Sequence, residues 1–186
     1  MTYLGSFISD DGQAARELTQ RLSAVQEFVQ IVATLNSEST LGRRRKLEIL
    51  NATVFSKLLY ALPALWLNVA ARRKLNGFQN RCLRAAWGIK PAFYSRVSNA
   101  KVLELTAQPA LTSLLEKRQL LLFGRIARQD GKNPMREATL TPGSLQPAVD
   151  RFMKKVGRPR NSWASEVGKL ALKVSGGWQR LEETIL

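Results

Sequence analysis

The sequence predicts an all-α fold: a helical bundle preceded by one short N-terminal strand, with a flexible basic linker and short C-terminal helices. Three observations carry this. Apolar residues recur at steps of three and four through much of residues 13–130, the spacing that gathers them on one helical face. Between residues 130 and 161 that pattern gives way to Pro134, Pro142, Gly143, Pro147, Gly157 and Pro159. An apolar content of 45% over 186 residues is enough to bury a core. The expected organisation is a strand and turn over 1–12, a helical domain over 13–130, a Pro/Gly-containing basic linker over 131–162 and a C-terminal helical segment over 163–186.

Taken in order, residues 2–8 are β-prone and run into Asp10-Asp11-Gly12, a turn-forming cluster. Leu18, Leu22, Val25, Val29, Val32 and Leu35 then describe an amphipathic helix from about Gln13 to Leu35. Ser37 to Thr40 supply a break and an N-cap. A second helix is expected from near Leu41 toward Leu62, where Pro63 ends or kinks it. Its first turn carries Arg43, Arg44, Arg45 and Lys46. Cations there oppose the helix macrodipole at a cost of about a few tenths of a kcal/mol each, which an anionic ligand would reverse. A solvated basic turn is the alternative. The apolar run from Val54 to Leu67 is interrupted by Lys57 and Pro63 and is shorter than the roughly 20 residues of a membrane span. It reads as a buried core helix.

A third helix, about Ala70 to Trp87, separates two faces when projected at the helical period. Leu75, Phe78, Cys82 and Ala86 form an apolar stripe, and Arg73, Lys74, Arg81 and Arg84 gather on a second face that includes Gly77. A mid-helix glycine costs roughly 1 kcal/mol against alanine. Close approach of a sugar-phosphate backbone would offset that cost, and so would a tight helix–helix contact. The loop Gly88 to Ser98 places Phe93-Tyr94 between Lys90 and Arg96, a composition that suits either stacking on single strands or local core packing. A short helix from Asn99 to Leu105 follows, and Pro109 opens a longer one to about Gln129. The linker ends in Lys154, Lys155 and Gly157-Arg158-Pro159-Arg160, which fits a minor-groove element or a plain basic tether. Trp163–Val174 and Trp178–Leu186 are expected as final short helices, parted by Gly176-Gly177.

Charge narrows the function. The chain holds 29 Lys+Arg against 14 Asp+Glu, a net +15, and residues 39–101 concentrate thirteen of those cations with one acid, Glu48. Solubility does not require such concentration, whereas a polyanionic partner does. One cysteine excludes an intrachain disulfide, and the absence of histidine excludes a Cys/His zinc site. Neither a nucleotide-binding Gly-rich loop nor an acid-base constellation is present, and Asp10-Asp11 before a glycine reads as turn chemistry rather than a metal pair. The residues therefore describe a binder with no catalytic residue, no metal site and no cofactor. No secretory leader opens the chain, so an intracellular protein is expected.

Several fragments together resemble the segment that follows the palm in non-LTR retrotransposon reverse transcriptases. They are Tyr3-Leu4-Gly5-Ser6, Asp11-Gly12, Leu58-Leu59-Tyr60 with Trp66, Phe78-Gln79, Arg81-Cys82-Leu83-Arg84, Gly88-Ile89, Ser98-Asn99, Gly124 with Arg128, and Gly157-Arg158-Pro159-Arg160 with Trp163. They occur in that family's order over about residues 2–166. The resemblance implies a primer-grip role for Tyr3, Leu4 and Gly5 and a thumb-like helical domain after them, tracking an RNA/DNA hybrid or duplex DNA. It also implies a nuclear location and a palm domain as a partner. Charge placement adds Arg43, Arg44, Arg45, Lys46, Arg73, Lys74, Gly77, Arg81, Arg84, Arg158 and Arg160 as the expected nucleic-acid contacts. The aspartate motif that holds Mg²⁺ belongs to the palm and does not occur in these residues, so the chain is not expected to polymerise. The alternative is a helical protein-interaction module that docks on a partner or palm through the Val54–Leu67 segment, and no membrane association is expected in either case.

Overall fold

A computed structural model of the chain describes residues 2–3, 6–7, 14–38, 41–148 and 162–185, and it is all-α apart from a minimal N-terminal strand pair. Where one strand is expected, two of two residues each form: β1 (Thr2–Tyr3) and β2 (Ser6–Phe7), antiparallel, with Thr2 opposite Phe7 and Tyr3 opposite Ser6. The β-prone run thus supplies its own pairing partner. Leu4, Gly5, Asp10, Asp11 and Gly12 lie outside the described residues.

The chain divides into two compact units, Met1–Leu62 with Leu67–Leu115, and Pro63–Trp66 with Glu116–Leu186. In the first, α1 (Ala14–Glu38) buries Leu18, Leu22 and Val25 at the expected spacing. It runs through Ser37 instead of breaking there, since a serine costs a helix only about a few tenths of a kcal/mol. The next helix begins later than expected: α2 (Arg43–Ile49) is preceded by Gly42 at the N-cap, which has no side chain to offer. It passes through a π-helical turn, Leu50–Phe55, into α3 (Ser56–Leu58). The helix stops short of Leu62 because the Pro63 ring would collide with the carbonyl of Leu59 four residues earlier. Pro63 sits instead in a 3₁₀ turn, Leu62–Ala64.

The centre of this unit is α4 (Val69–Trp87), which packs against α1, α2 and α6 (Asn99–Thr106). Asn68 caps its start by accepting from the Ala71 amide at 2.8 Å. Gly88 ends it in the left-handed region, φ 68°, with the Ile89 amide donating back to the Arg84 carbonyl at 2.9 Å. The expected stripe of Leu75, Phe78, Cys82 and Ala86 is buried, together with Ala71, Gln79 and Leu83. Gln79 and Asn76 do something a helical projection does not show: they cap α7 (Leu111–Ala127) from another helix. The Gln79 amide donates to the Pro109 carbonyl at 2.7 Å while its oxygen accepts from the Leu111 amide at 2.8 Å. Asn76 accepts from the Thr112 amide at 3.2 Å and donates to its hydroxyl at 3.0 Å. Amides that a helix N-terminus leaves without intrahelical partners are satisfied this way.

The second unit corrects the expected linker in part. Residues 134–148 are folded: Asn133 caps α8 (Pro134–Thr139), and Leu140 bridges to Pro147. Pro134 occupies the first turn, where its missing N–H costs nothing, so it starts a helix rather than preventing one. Leu140 and Leu145 are buried with Phe123 and Ala127 of α7, Val167 and Ala171 of α9 (Trp163–Ser175) and Leu181 of α10 (Trp178–Ile185). The Trp163 indole donates to the Pro63 carbonyl at 2.8 Å, and Gln119 donates to the Leu65 carbonyl at 2.7 Å, which ties residues 63–66 into this unit. Residues 149–161, with Arg158 and Arg160, lie outside the described residues.

Candidate nucleic-acid interface

Every described residue expected to contact nucleic acid by its charge belongs to the first unit. On α4, Arg73, Lys74 and Arg81 are exposed, and Gly77 lies between them along the helix. A methyl group built on Gly77 would meet nothing within 4 Å, so the glycine is not there to admit a second helix. That removes one of its two expected explanations. The face over Gly77 is open backbone bordered by cations. Lys74 leans toward α1, its ammonium 3.1 Å from the Thr19 hydroxyl, and the Arg81 guanidinium carbon stands 5.9 Å from the Phe78 ring centre.

The Arg43–Lys46 cluster begins α2, which packs on α4. Arg43 reaches the far end of α4, its guanidinium carbon 6.0 Å from the centre of the Trp87 ring. Arg44 and Arg45 share one carboxylate, Glu48, at 3.5 and 2.8 Å. Both pairs are well exposed, so water screens them and they hold the arginines only loosely. No side chain caps the start of α2 and its first turn has no acid, leaving the local field positive.

Arg84 departs from its expected role as a phosphate contact. It is 7% exposed, and its guanidinium is committed to the loop that follows α4. One nitrogen donates to the Lys90 carbonyl at 3.2 Å and the Ser95 hydroxyl at 3.4 Å; the other donates to the Val97 carbonyl at 2.6 Å and the Asn99 side-chain oxygen at 3.1 Å. A planar group with five fixed donors serves such a convergent set of acceptors well, and burial of its charge requires them. Helical projection places Arg84 on the stripe of Arg73, Gly77 and Arg81, but the loop folds over it there. Periodicity cannot see a loop.

That loop contains α5 (Ala92–Ser95) and presents Phe93 and Tyr94 to solvent, 76% and 73% exposed. Of the two readings left open for the pair, local core packing is excluded by this exposure. Its cue in the sequence is the pair of flanking cations, Lys90 and Arg96. The apolar run Val54–Leu67, by contrast, is largely consumed by cores: Val54, Leu58, Leu62 and Leu67 are buried. Within the run Tyr60 stays in solvent, 64% exposed.

Cys82 is buried, and desolvation pushes its thiol up to about 12 despite the neighbouring Arg81 charge, which acts the other way. Among the described residues no group of three or more His, Cys, Asp or Glu could hold a metal ion, and no helix is long and apolar enough to cross a membrane. In comparisons with known proteins the chain matches no family model, no curated protein and no solved structure.

Proposed function

We propose that the chain is a non-catalytic nucleic-acid-binding module that grips the backbone of an RNA/DNA hybrid or duplex DNA, as the resemblance to a reverse-transcriptase thumb implies. The observation that carries the reading is the open face of α4, where Arg73, Lys74 and Arg81 border a glycine with free space above it. Phosphates neutralised by these cations would release counterions, so affinity depends steeply on salt and little on sequence. A backbone that offers no Cβ at Gly77 admits the sugar-phosphate chain closely. The α2 cluster, Arg43 to Lys46, adds a second set of cations in the same unit. In this reading Mg²⁺ chemistry and polymerisation belong to a palm domain, and a palm is the protein partner the resemblance would supply.

The test is an anisotropy titration of the chain against hybrid duplex, duplex DNA and heparin at two salt concentrations. The duplexes are expected to bind in preference to heparin, with an affinity that falls steeply as salt rises. The double substitution Arg73→Glu with Arg81→Glu should weaken duplex binding and reduce the salt slope by about 2, one unit for each phosphate no longer neutralised. Arg84 is kept, because replacing it disturbs the loop instead of the surface. An unchanged salt slope in the double variant, or equal binding to all three polyanions, would overturn the assignment.

A further inference from the structure

We propose that Phe93 and Tyr94 form a stacking platform for unpaired bases, so that the chain engages the single strand emerging from a bound duplex. The proposal rests on the reading that the chain binds nucleic acid and adds to it a second, chemically different contact.

The pair is anomalous as a surface feature. Two adjacent aromatics, each about three-quarters exposed, bury little area to offset their cost in water. Their rings meet edge to face, centres 5.3 Å apart and planes at 84°, an arrangement that takes up one face of one ring and leaves the pair's other faces free of each other. Arg96 stands with its guanidinium carbon 6.0 Å from the Phe93 centre, and Lys90 precedes the pair on the same loop. Aromatic faces interleaved with cations are what a single strand needs: planes for the bases and positive charge for the phosphates between them.

The mounting is equally specific. Four acceptors spread over Lys90 to Asn99 converge on the buried Arg84 guanidinium, which fixes the loop from below while leaving its aromatic tip in solvent. Arg96 ends α5 in the left-handed backbone conformation, φ 56°, its amide donating to the Ala92 carbonyl at 3.0 Å, which closes the short helix beneath the rings. A platform held rigid before its ligand arrives loses little entropy when bases settle on it. Its position suits the same role. Arg84 lies on the α4 stripe of Arg73, Gly77 and Arg81, so the loop it anchors sits at the C-terminal end of that basic face. A strand following the stripe passes from phosphate contacts to exposed rings.

The test compares equilibrium binding of the full chain to a blunt DNA duplex and to the same duplex carrying an oligothymidine overhang. Wild type should prefer the overhang. The double variant Phe93→Ala with Tyr94→Ala should bind the overhang substrate about ten-fold or more weakly and the blunt duplex as wild type does, in line with the stacking contribution of one or two bases. Phe93→Leu with Tyr94→Leu keeps apolar area without a ring face and should fail in the same way. Both positions are exposed, so neither variant threatens the fold. Equal weakening on both substrates, no weakening on either, or full binding by the leucine variant overturns the platform while leaving the duplex reading intact. Failure of wild type to bind either substrate overturns both. If the alanine variant instead abolishes self-association in sedimentation without altering overhang affinity, the pair is a protein contact and the proposal falls.

Discussion

Cys82 and Arg84 sit two positions apart on α4 and illustrate how little residue type says about role without a neighbourhood. The thiol is surrounded by core, and only its thiolate form would be nucleophilic. Because the folded chain keeps that proton up to about 12 while an ordinary thiol releases it near 9.0, the unfolded state loses it first as pH rises. Stability therefore declines between those values, by at most about 1.4 kcal/mol per pH unit, and the contribution is fully present below 9.0. The stability advantage of wild type over Cys82→Ala in urea unfolding is expected to shrink as pH is raised through 9.0, and native protein should resist alkylation at neutral pH. A constant advantage across that window would mean the thiol is not desolvated. Arg84 is legible in the sequence as a cation on a basic face. That its charge turns inward depends on where residues 90–99 place their carbonyls, and no helical projection contains that information.

At the scale of elements, α4 and α7 show a helix being started by another helix. The buried Gln79 side chain satisfies both the Pro109 carbonyl and the Leu111 amide, two groups that α7 cannot pair for itself. Gln79→Ala would leave both unpaired in the interior and should cost about 2–4 kcal/mol in denaturant unfolding. A cost below roughly 1 kcal/mol would show that water reaches the site and replaces the cap. The bounds of α1, α4, α6 and α9 are readable from sequence to within a few residues because their caps and periodicity are local: Asn68, Ser98 and Ser162 each accept from an amide in the first turn that follows. The Gln79 and Asn76 caps are not, because their partners lie about thirty residues away.

For the whole molecule, the second unit marks where local patterns stop being informative. Gly168 in α9 is buried, and a Cβ there would stand 2.9 Å from a Pro147 ring carbon. Glycine to alanine in a helix normally stabilises by about 1 kcal/mol. Here the collision should reverse the sign, so that Gly168→Ala lowers the urea midpoint reported by tryptophan fluorescence. Duplex affinity should stay unchanged below that transition, because the described cations and aromatics assigned to binding belong to the other unit. A raised midpoint would show that the 140–148 segment yields easily and is a tether, as its prolines suggest.

The fold class, most helix positions, the apolar stripe of α4 and the concentration of positive charge in the middle of the chain are all written in the order of the residues. They follow from local periodicity, capping and composition, which act over a few residues and need no knowledge of neighbours. Other outcomes appear only once the chain is folded: Arg84 is a clamp, Gly77 faces open space, Phe93 and Tyr94 face solvent, and residues 134–148 join a core. Each of these depends on which surfaces meet across long stretches of chain, and burial, unlike periodicity, is a property of the assembled whole.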